Sequence, residues 1–235
     1  MGTLVNCIAV IAGGLLGLIF KKFIKQSWVD SINKALGIAV LVVGINGVLS
    51  NMLVLENGSF STSGEIILIV SLVIGTLVGE LCDLDRRFSV FTQKIEKKFN
   101  FGGFSAGFIN ATVLFCVGAM AIIGSVNDGL TGDSTVLFIK SALDFTAAIV
   151  LAATLGWGVV FSFVPILIYQ GGITLMAGTL GQILVGELLQ QVCYVGYAVI
   201  MCIGFNFLLT NKIKTLNMLP SVLVPAVIAL LKAVI

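Results

Sequence analysis

Apolar residues occupy this chain in long blocks, and polar residues gather in the gaps between them. Apolar runs fall at about 3–20, 35–52, 65–81, 104–126, 136–154, 157–180, 191–210 and 217–235. As helices, runs of about 20 residues are long enough to cross a hydrocarbon core about 30 Å thick. The pattern predicts an all-α fold, a polytopic membrane helix bundle of about eight transmembrane spans forming one integral membrane domain over residues 1–235. Only Leu-Gly-Trp-Gly-Val-Val separates the fifth run from the sixth. The sixth carries Pro165 and the adjacent Gly171 and Gly172, which predict an interrupted helix.

Composition supports this pattern. The chain is 58% hydrophobic and 10% charged, with a mean hydropathy of +1.15, whereas soluble domains carry about 25% charged residues. No stretch is left for a soluble domain. Lys21 and Lys22 follow the first run rather than precede it, so that run is expected to be a retained span and not a secretory signal. Asn6 stands where N-myristoylation requires Ser or Thr.

Charge orients the spans. Lys21, Lys22, Lys25 and Lys34 follow the first run, Arg86, Arg87, Lys94, Lys97 and Lys98 the third, and Lys212 and Lys214 the seventh. Cytoplasmic loops collect Lys and Arg. Even numbers of crossings between these loops put them on one side, with both termini outside the cytoplasm. Within 81–103, Phe88, Phe91, Ile95 and Phe99 recur every three or four residues among cations, predicting a helix that lies in the interface on anionic lipid. Binding of nucleic acid by that basic stretch is not expected.

Two segments look alike. Residues 36–51 and 196–211 share a Gly-x-Asn-x-(Val/Leu)-Leu core at Gly44/Asn46 and Gly204/Asn206. Ile-Ala-Gly-Gly-Leu-Leu-Gly and Tyr-Gln-Gly-Gly-Ile-Thr-Leu lie upstream at similar offsets. Matching the first three spans to the last three implies an inverted-topology repeat with halves at about 1–81 and 157–235 around central spans at 104–154, as in many secondary transporters. Chance likeness among Gly, Val and Leu is the rival. The pairs Gly13/Gly17, Gly75/Gly79 and Gly103/Gly107 permit close helix packing without demonstrating it.

Residues 124–144, Gly-Ser-Val-Asn-Asp-Gly-Leu-Thr-Gly-Asp-Ser-Thr-Val-Leu-Phe-Ile-Lys-Ser-Ala-Leu-Asp, carry the chemistry. Asn127, Asp128 and Asp133 are expected in a non-cytoplasmic turn that Gly129 and Gly132 let bend. Lys140 and Asp144 follow inside the fifth span, four residues apart and so on one helical face. Lys140 could snorkel to the interface. Asp144 cannot, so it should face the protein interior, because ionised groups inside a bilayer are costly unless partnered. The pair reads either as part of a solute or ion path with Asp128 and Asp133 at its mouth, or as a clamp orienting the span. Gln170, beside Gly171 and Gly172, joins the candidate path. Asn6, Asn46, Asn110 and Asn206 are expected to turn inward and bond across helices; Glu80 and Glu187 fall near span ends.

The remaining residue types exclude chemistry. Cys7, Cys82, Cys116, Cys193 and Cys202 form no Cys-x-x-Cys pair and the chain has no histidine, so zinc, haem and histidine-based catalysis have no ligand set or base. The acid-rich turn lacks the ligand spacing of an EF-hand. No metal and no cofactor are expected, and no enzyme activity.

The 124–144 stretch, with Leu-Gly-Trp-Gly-Val, Tyr-Gln-Gly-Gly-Ile-Thr-Leu-Met-Ala-Gly, the opening Gly-Thr-Leu-Val-Asn-Cys-Ile-Ala-Val-Ile-Ala-Gly-Gly and the late Leu-Asn-Met-Leu-Pro-Ser-Val-Leu, resembles the bacterial inner-membrane family catalogued as domain-of-unknown-function family 554. The resemblance implies a multi-pass bacterial membrane protein. A transporter or channel for a small solute or ion is the leading expectation, with the lipid bilayer and that solute as partners and a homo-oligomer allowed for. The alternative is a non-transporting membrane regulator or assembly partner acting through 81–103.

Overall fold

The structure is a computed structural model that describes residues 1–23, 25–56, 59–99, 104–179, 186–210 and 212–234. Among them, six helices are long and apolar enough to cross a membrane, or seven if one bent pair counts as a span. They are α1 (Gly2–Lys21), α2 (Gln26–Met52), α3 (Glu65–Cys82), α7 (Thr135–Leu155), the stretch Gly158–Leu175 and α10 (Gly186–Leu208). Within that stretch, α8 (Gly158–Phe161) and α9 (Phe163–Leu175) meet at Ser162. The bent pair is α5 (Phe104–Cys116) and α6 (Ala119–Thr131), set at 60°. The eighth apolar run is helical but shorter, over Thr215–Leu231, and comprises α11 (Thr215–Met218), a 3₁₀ turn (Leu219–Leu223) and the start of α12 (Val224–Val234). The stretch expected to lie in the interface forms a helix, α4 (Leu84–Phe99). A two-stranded antiparallel hairpin, β1 (Leu53–Glu56) and β2 (Ser59–Thr62), joins α2 to α3.

The helices bury small and polar residues beside apolar ones such as Val10, Leu137 and Leu151, and turn many other large apolar residues outward. α1 buries Thr3, Asn6, Gly13 and Gly17 while Leu4, Ile8, Ile19 and Phe20 face outward. α7 buries Lys140, Ser141 and Asp144 and exposes Phe138, Ile139 and Leu143. α3 buries Ser71, Gly75 and Gly79 beneath an outer face of Ile66, Ile69 and Leu77. Lipid tails are as apolar as leucine, so helices associate through close backbone approach and interhelical hydrogen bonds rather than hydrophobic burial. The chain is an all-α polytopic membrane helix bundle.

It divides into two compact units: residues 1–33 with 88–183, and residues 34–87 with 184–235. In unit 1, α1 lies tightly along α7. A Cβ on Gly13 would stand 2.4 Å from the Phe145 carbonyl oxygen, and one on Gly17 2.3 Å from that of Ile149. The equal four-residue spacing on both helices makes this a continuous small-residue seam. α8 docks on α5 through Gly158, whose added Cβ would meet the Phe104 carbonyl oxygen at 2.0 Å. Phe104 also stacks on Phe108, and Phe108 on Phe88 from α4.

Unit 2 has a seam of its own. Gly75 and Gly79 of α3 admit the backbone of Ser221 and Asn217, with added Cβ atoms only 2.2 and 1.9 Å away. Gly44 and Gly47 of α2 receive Met201 and Tyr197 of α10. That packing overturns the expectation for Asn46, which is exposed: the glycines occupy the contact face and the asparagine falls off it. Asn206 on α10 bonds to the next helix, its Nδ2 donating to Thr215 Oγ1 at the start of α11 at 3.0 Å. Its Nδ2 also donates to the Ile213 carbonyl at 2.8 Å and its Oδ1 accepts the Ile213 N–H, so it fastens the connection that follows its own helix.

Candidate functional site: a buried ion pair in unit 1

α7 places Lys140 and Asp144 one turn apart, both turned inward, at 5% and 7% exposure. Nζ of Lys140 bonds Oδ2 of Asp144 directly. Lys140 does not snorkel. Its ammonium lies 6.0 Å from the ring centroid of Phe115 on α5, a cation–π distance. Ser134, just before α7, is ten residues from Asp144, so the carboxylate lies about 15 Å along the helix, roughly half of a hydrocarbon core about 30 Å thick.

Two further helices close on the pair. Asn6 of α1 donates through Nδ2 to Asp144 Oδ2 at 3.0 Å and to Gln170 Oε1 of α9 at 3.3 Å. Both amides are fully buried. The carboxylate fixes the Asn6 amide, because the flipped rotamer would set oxygen against oxygen. Asn6 in turn fixes Gln170. That chain of constraints leaves Asn6 Oδ1 and Gln170 Nε2 buried without a hydrogen-bond partner. Unpaired buried polar atoms cost about 1–3 kcal/mol each.

More such atoms lie toward one end of the unit. Thr3 Oγ1 on α1, Ser125 Oγ on α6 and Thr174 Oγ1 on α9 are buried and unpartnered. Each is three or four residues from a polar neighbour on its own helix: Thr3 from Asn6, Ser125 from Asp128, Thr174 from Gln170. These spacings put each pair on one face. At the end of the line, Asp128 accepts hydrogen bonds from the Gly2 N–H at 3.2 Å and from Ser134 Oγ, with the Met1 amino nitrogen 3.0 Å away.

Several predicted site residues occupy other settings than expected. Asn127 and Asp128 lie within α6, not in a turn, because α6 continues to Thr131 and Asp128 is held by groups from α1 and Ser134. Gly129 is helical and lets α6 meet α9: a Cβ there would stand 2.2 Å from the Thr174 carbonyl oxygen. The chain turns at Gly132, with φ of 73°. Asp133 is exposed and outside the line. Its Oδ1 accepts the Thr135 N–H at 2.9 Å, and these bonds hold its carboxyl below the usual range. Gly171 and Gly172 do not interrupt a helix, since α9 runs unbroken from Phe163 to Leu175. In lipid, backbone groups must be satisfied within the segment, which favours helix even through glycine.

Breaks lie at Ser162, three residues before Pro165 in the predicted span, and at Val117–Gly118 between α5 and α6, where Gly118 has φ of 130°. The Gly118 break adjoins the ion pair, since Phe115, two residues before Val117, lies by Lys140. Asn6 was recognisable as an inward polar group but not as a partner of the pair. Thr3, Ser125, Thr174 and Phe115 carry no local signal that distinguishes them from packing residues. Among the described residues no group of three or more Cys, Asp or Glu could hold a metal ion.

Residues 1–230 match the family described as "Protein of unknown function (DUF554)". The chain belongs to that family. Among curated members, it is 36% identical to the "Uncharacterized membrane protein YdfK" of Bacillus subtilis (strain 168), over 97% of this chain and 94% of the relative. It is 26% identical to the "Uncharacterized protein YqgA" of Escherichia coli (strain K12), over 95% and 93% respectively. No solved structure matches. The DUF554 chain is thus an integral membrane protein whose conspicuous buried chemistry is a four-residue cluster drawn from α1, α7 and α9.

Proposed function

We propose that this DUF554 protein is a transporter or channel for a small solute or ion, with unit 1 as its pathway. The observation that carries the reading is the Lys140–Asp144 pair, tied to Asn6 and Gln170 while leaving a buried acceptor and a buried donor unused. A clamp built only to orient α7 would be expected to satisfy its own polar atoms. The unpartnered hydroxyls of Thr3, Ser125 and Thr174 extend a polar line from Asp128 inward, where water or solute could bond. A helix broken beside the pair, at Gly118, is the kind of feature around which secondary transporters build midplane sites.

The loop charges support an inner-membrane protein with both termini outside the cytoplasm. The inverted repeat is supported by how the proposed halves distribute. Each gives its first span, α1 or the Gly158–Leu175 stretch, to unit 1 and its remaining helices to unit 2. The amphipathic helix α4 favours a second reading, a membrane regulator docking through that helix.

The test is reconstitution in liposomes with a flux screen across ions and metabolites. Lys140→Ala and Asp144→Asn should each reduce flux by two orders of magnitude or more, on the scale of breaking a buried charge pair worth about 3–5 kcal/mol. Flux unchanged by both would remove the pair from the pathway. Deleting α4 with flux intact but function lost in cells would favour the second reading.

A further inference from the structure

Resting on the transport role just proposed, we infer that unit 1 moves a small monoanion together with one proton: the anion takes Asp144's place on Lys140 as Asp144 takes up the proton. The argument is one of charge and donor count at the cluster.

At rest the site is neutral, with one ammonium and one carboxylate in contact. A net charge left unpaired at this depth costs several kcal/mol. A cation entering would add to Lys140; an anion alone would leave the site at minus one. An anion arriving with a proton keeps the sum at zero, provided some group can accept that proton. Asp144 is the carboxylate in reach. The other titratable groups on the elements that close on it are Lys140 on its own helix, Cys7 of α1 next to Asn6 and Cys116 of α5 next to Phe115, while Asn6 and Gln170 do not titrate.

Donor count points to an anion rather than a neutral solute. Gln170 Nε2 has no acceptor, and Lys140 uses its three N–H donors on a single hydrogen-bond acceptor among the described residues. Fixed acceptors are scarce by comparison, with Asn6 Oδ1 the unpartnered one. A planar carboxylate or nitrate would satisfy the surplus, one oxygen toward Lys140 and another toward the Gln170 amide. Protonated Asp144 becomes a donor. Its acceptor is an oxygen of the arriving anion, so Asn6 Nδ2 can keep its bond to the carboxyl. The proton comes from the aqueous phase on the entry side; no electrons move, and the only bond made is the O–H of Asp144. The same steps reversed release both passengers.

The full-length protein in liposomes with a trapped pH indicator tests this. Inward gradients of glycolate, lactate, pyruvate and nitrate are applied beside glycolamide as a neutral match, with protein-free vesicles setting the background. Expected is acidification of the lumen with one or more of the anions, one proton per anion, unaffected when the membrane potential is clamped. Asp144→Asn should drive the proton-to-anion ratio toward zero and make any remaining anion flux follow the potential. Gln170→Leu should raise the half-saturating anion concentration about tenfold, the loss of one donor. Anion flux by the wild type that follows the potential without acidification would overturn the coupling and leave transport standing. Flux confined to cations or neutral solutes would overturn the anion assignment alone. No flux of any solute from folded protein would overturn the transport role, and this inference with it.

Discussion

Unit 1 and unit 2 solve the same packing problem and differ in what they bury. Both bring helices together on glycine: Gly13 and Gly17 against α7 in one, Gly75 and Gly79 against the segment from Asn217 to Ser221 in the other. Among the described residues unit 2 buries no charged side chain and places its ion pairs, Arg86 with Asp83 and Lys214 with Glu80, at the surface, the latter two side chains being 56% and 45% exposed. Unit 1 buries its pair at 7% and 9%; buried polar atoms without partners occur in both units, at Ser71 and Tyr194 in unit 2 as well as around the pair, so the buried charge is what sets unit 1 apart. Close packing needs no such charge, as unit 2 demonstrates. What unit 1 carries beyond packing is therefore the part to which a pathway is assigned.

Breaking the buried pair should have the largest effect on stability. Lys140→Met or Asp144→Leu alone leaves one uncompensated charge and should cost about 3–5 kcal/mol. The double variant removes both charges and should recover most of that loss, because well-packed apolar replacements for a buried pair are often neutral. Thermal unfolding of the purified protein in detergent reads all three. Additive losses in the double variant would mean that the two residues do not form one unit.

The glycine seams come next, and they should respond alike in both units. Gly17→Val and Gly79→Val each drive a side chain into a carbonyl oxygen of the neighbouring helix, an overpacking that costs about 1–3 kcal/mol. Gly171→Ala and Gly172→Ala should behave oppositely. A Cβ at either position meets nothing within 4 Å, and alanine in a helix interior gains about 0.5–1 kcal/mol over glycine. Melting temperatures that fall for the first pair and hold or rise for the second would separate packing glycines from merely permitted ones. A loss at Gly172→Ala as large as at Gly17→Val would restore a structural demand at that site.

The same residues mark what was legible in the sequence. Apolar blocks revealed the helices because the bilayer imposes length and composition on every span. The Lys140–Asp144 pairing was visible because a spacing of four residues is local geometry. Asn6 and Gln170 were not assignable as partners of that pair, since they lie 138 and 26 residues from Asp144 and only tertiary packing joins them. The glycine break signal misled for a physical reason. Gly171–Gly172 looks like a helix breaker, yet lipid favours internal hydrogen bonds there, whereas breaks lie at Ser162, three residues before Pro165, and at Gly118, one of 27 glycines. Turn residues at Asn127–Gly129 were overridden by Asp128's bond to the Gly2 N–H at the start of α1.

The smallest effect is expected at the surface pair of unit 2. Glu80 bonds Lys214 at 2.9 Å and raises its pKa above the ordinary lysine value, first by the hydrogen bond and then by charge. A raised folded value means that the pair's contribution is fully present below the unfolded lysine pKa, about 10.4, and is lost as pH climbs through the folded value. Exposure and salt screen the interaction at every pH. Lys214→Gln should therefore leave the melting temperature nearly unchanged at neutral pH in physiological salt and flatten the alkaline limb of the stability curve. If Lys214→Gln instead cost as much at neutral pH as Lys140→Met, burial would not be what distinguishes the two ion pairs, and the case for unit 1 as the functional half would lose its physical basis.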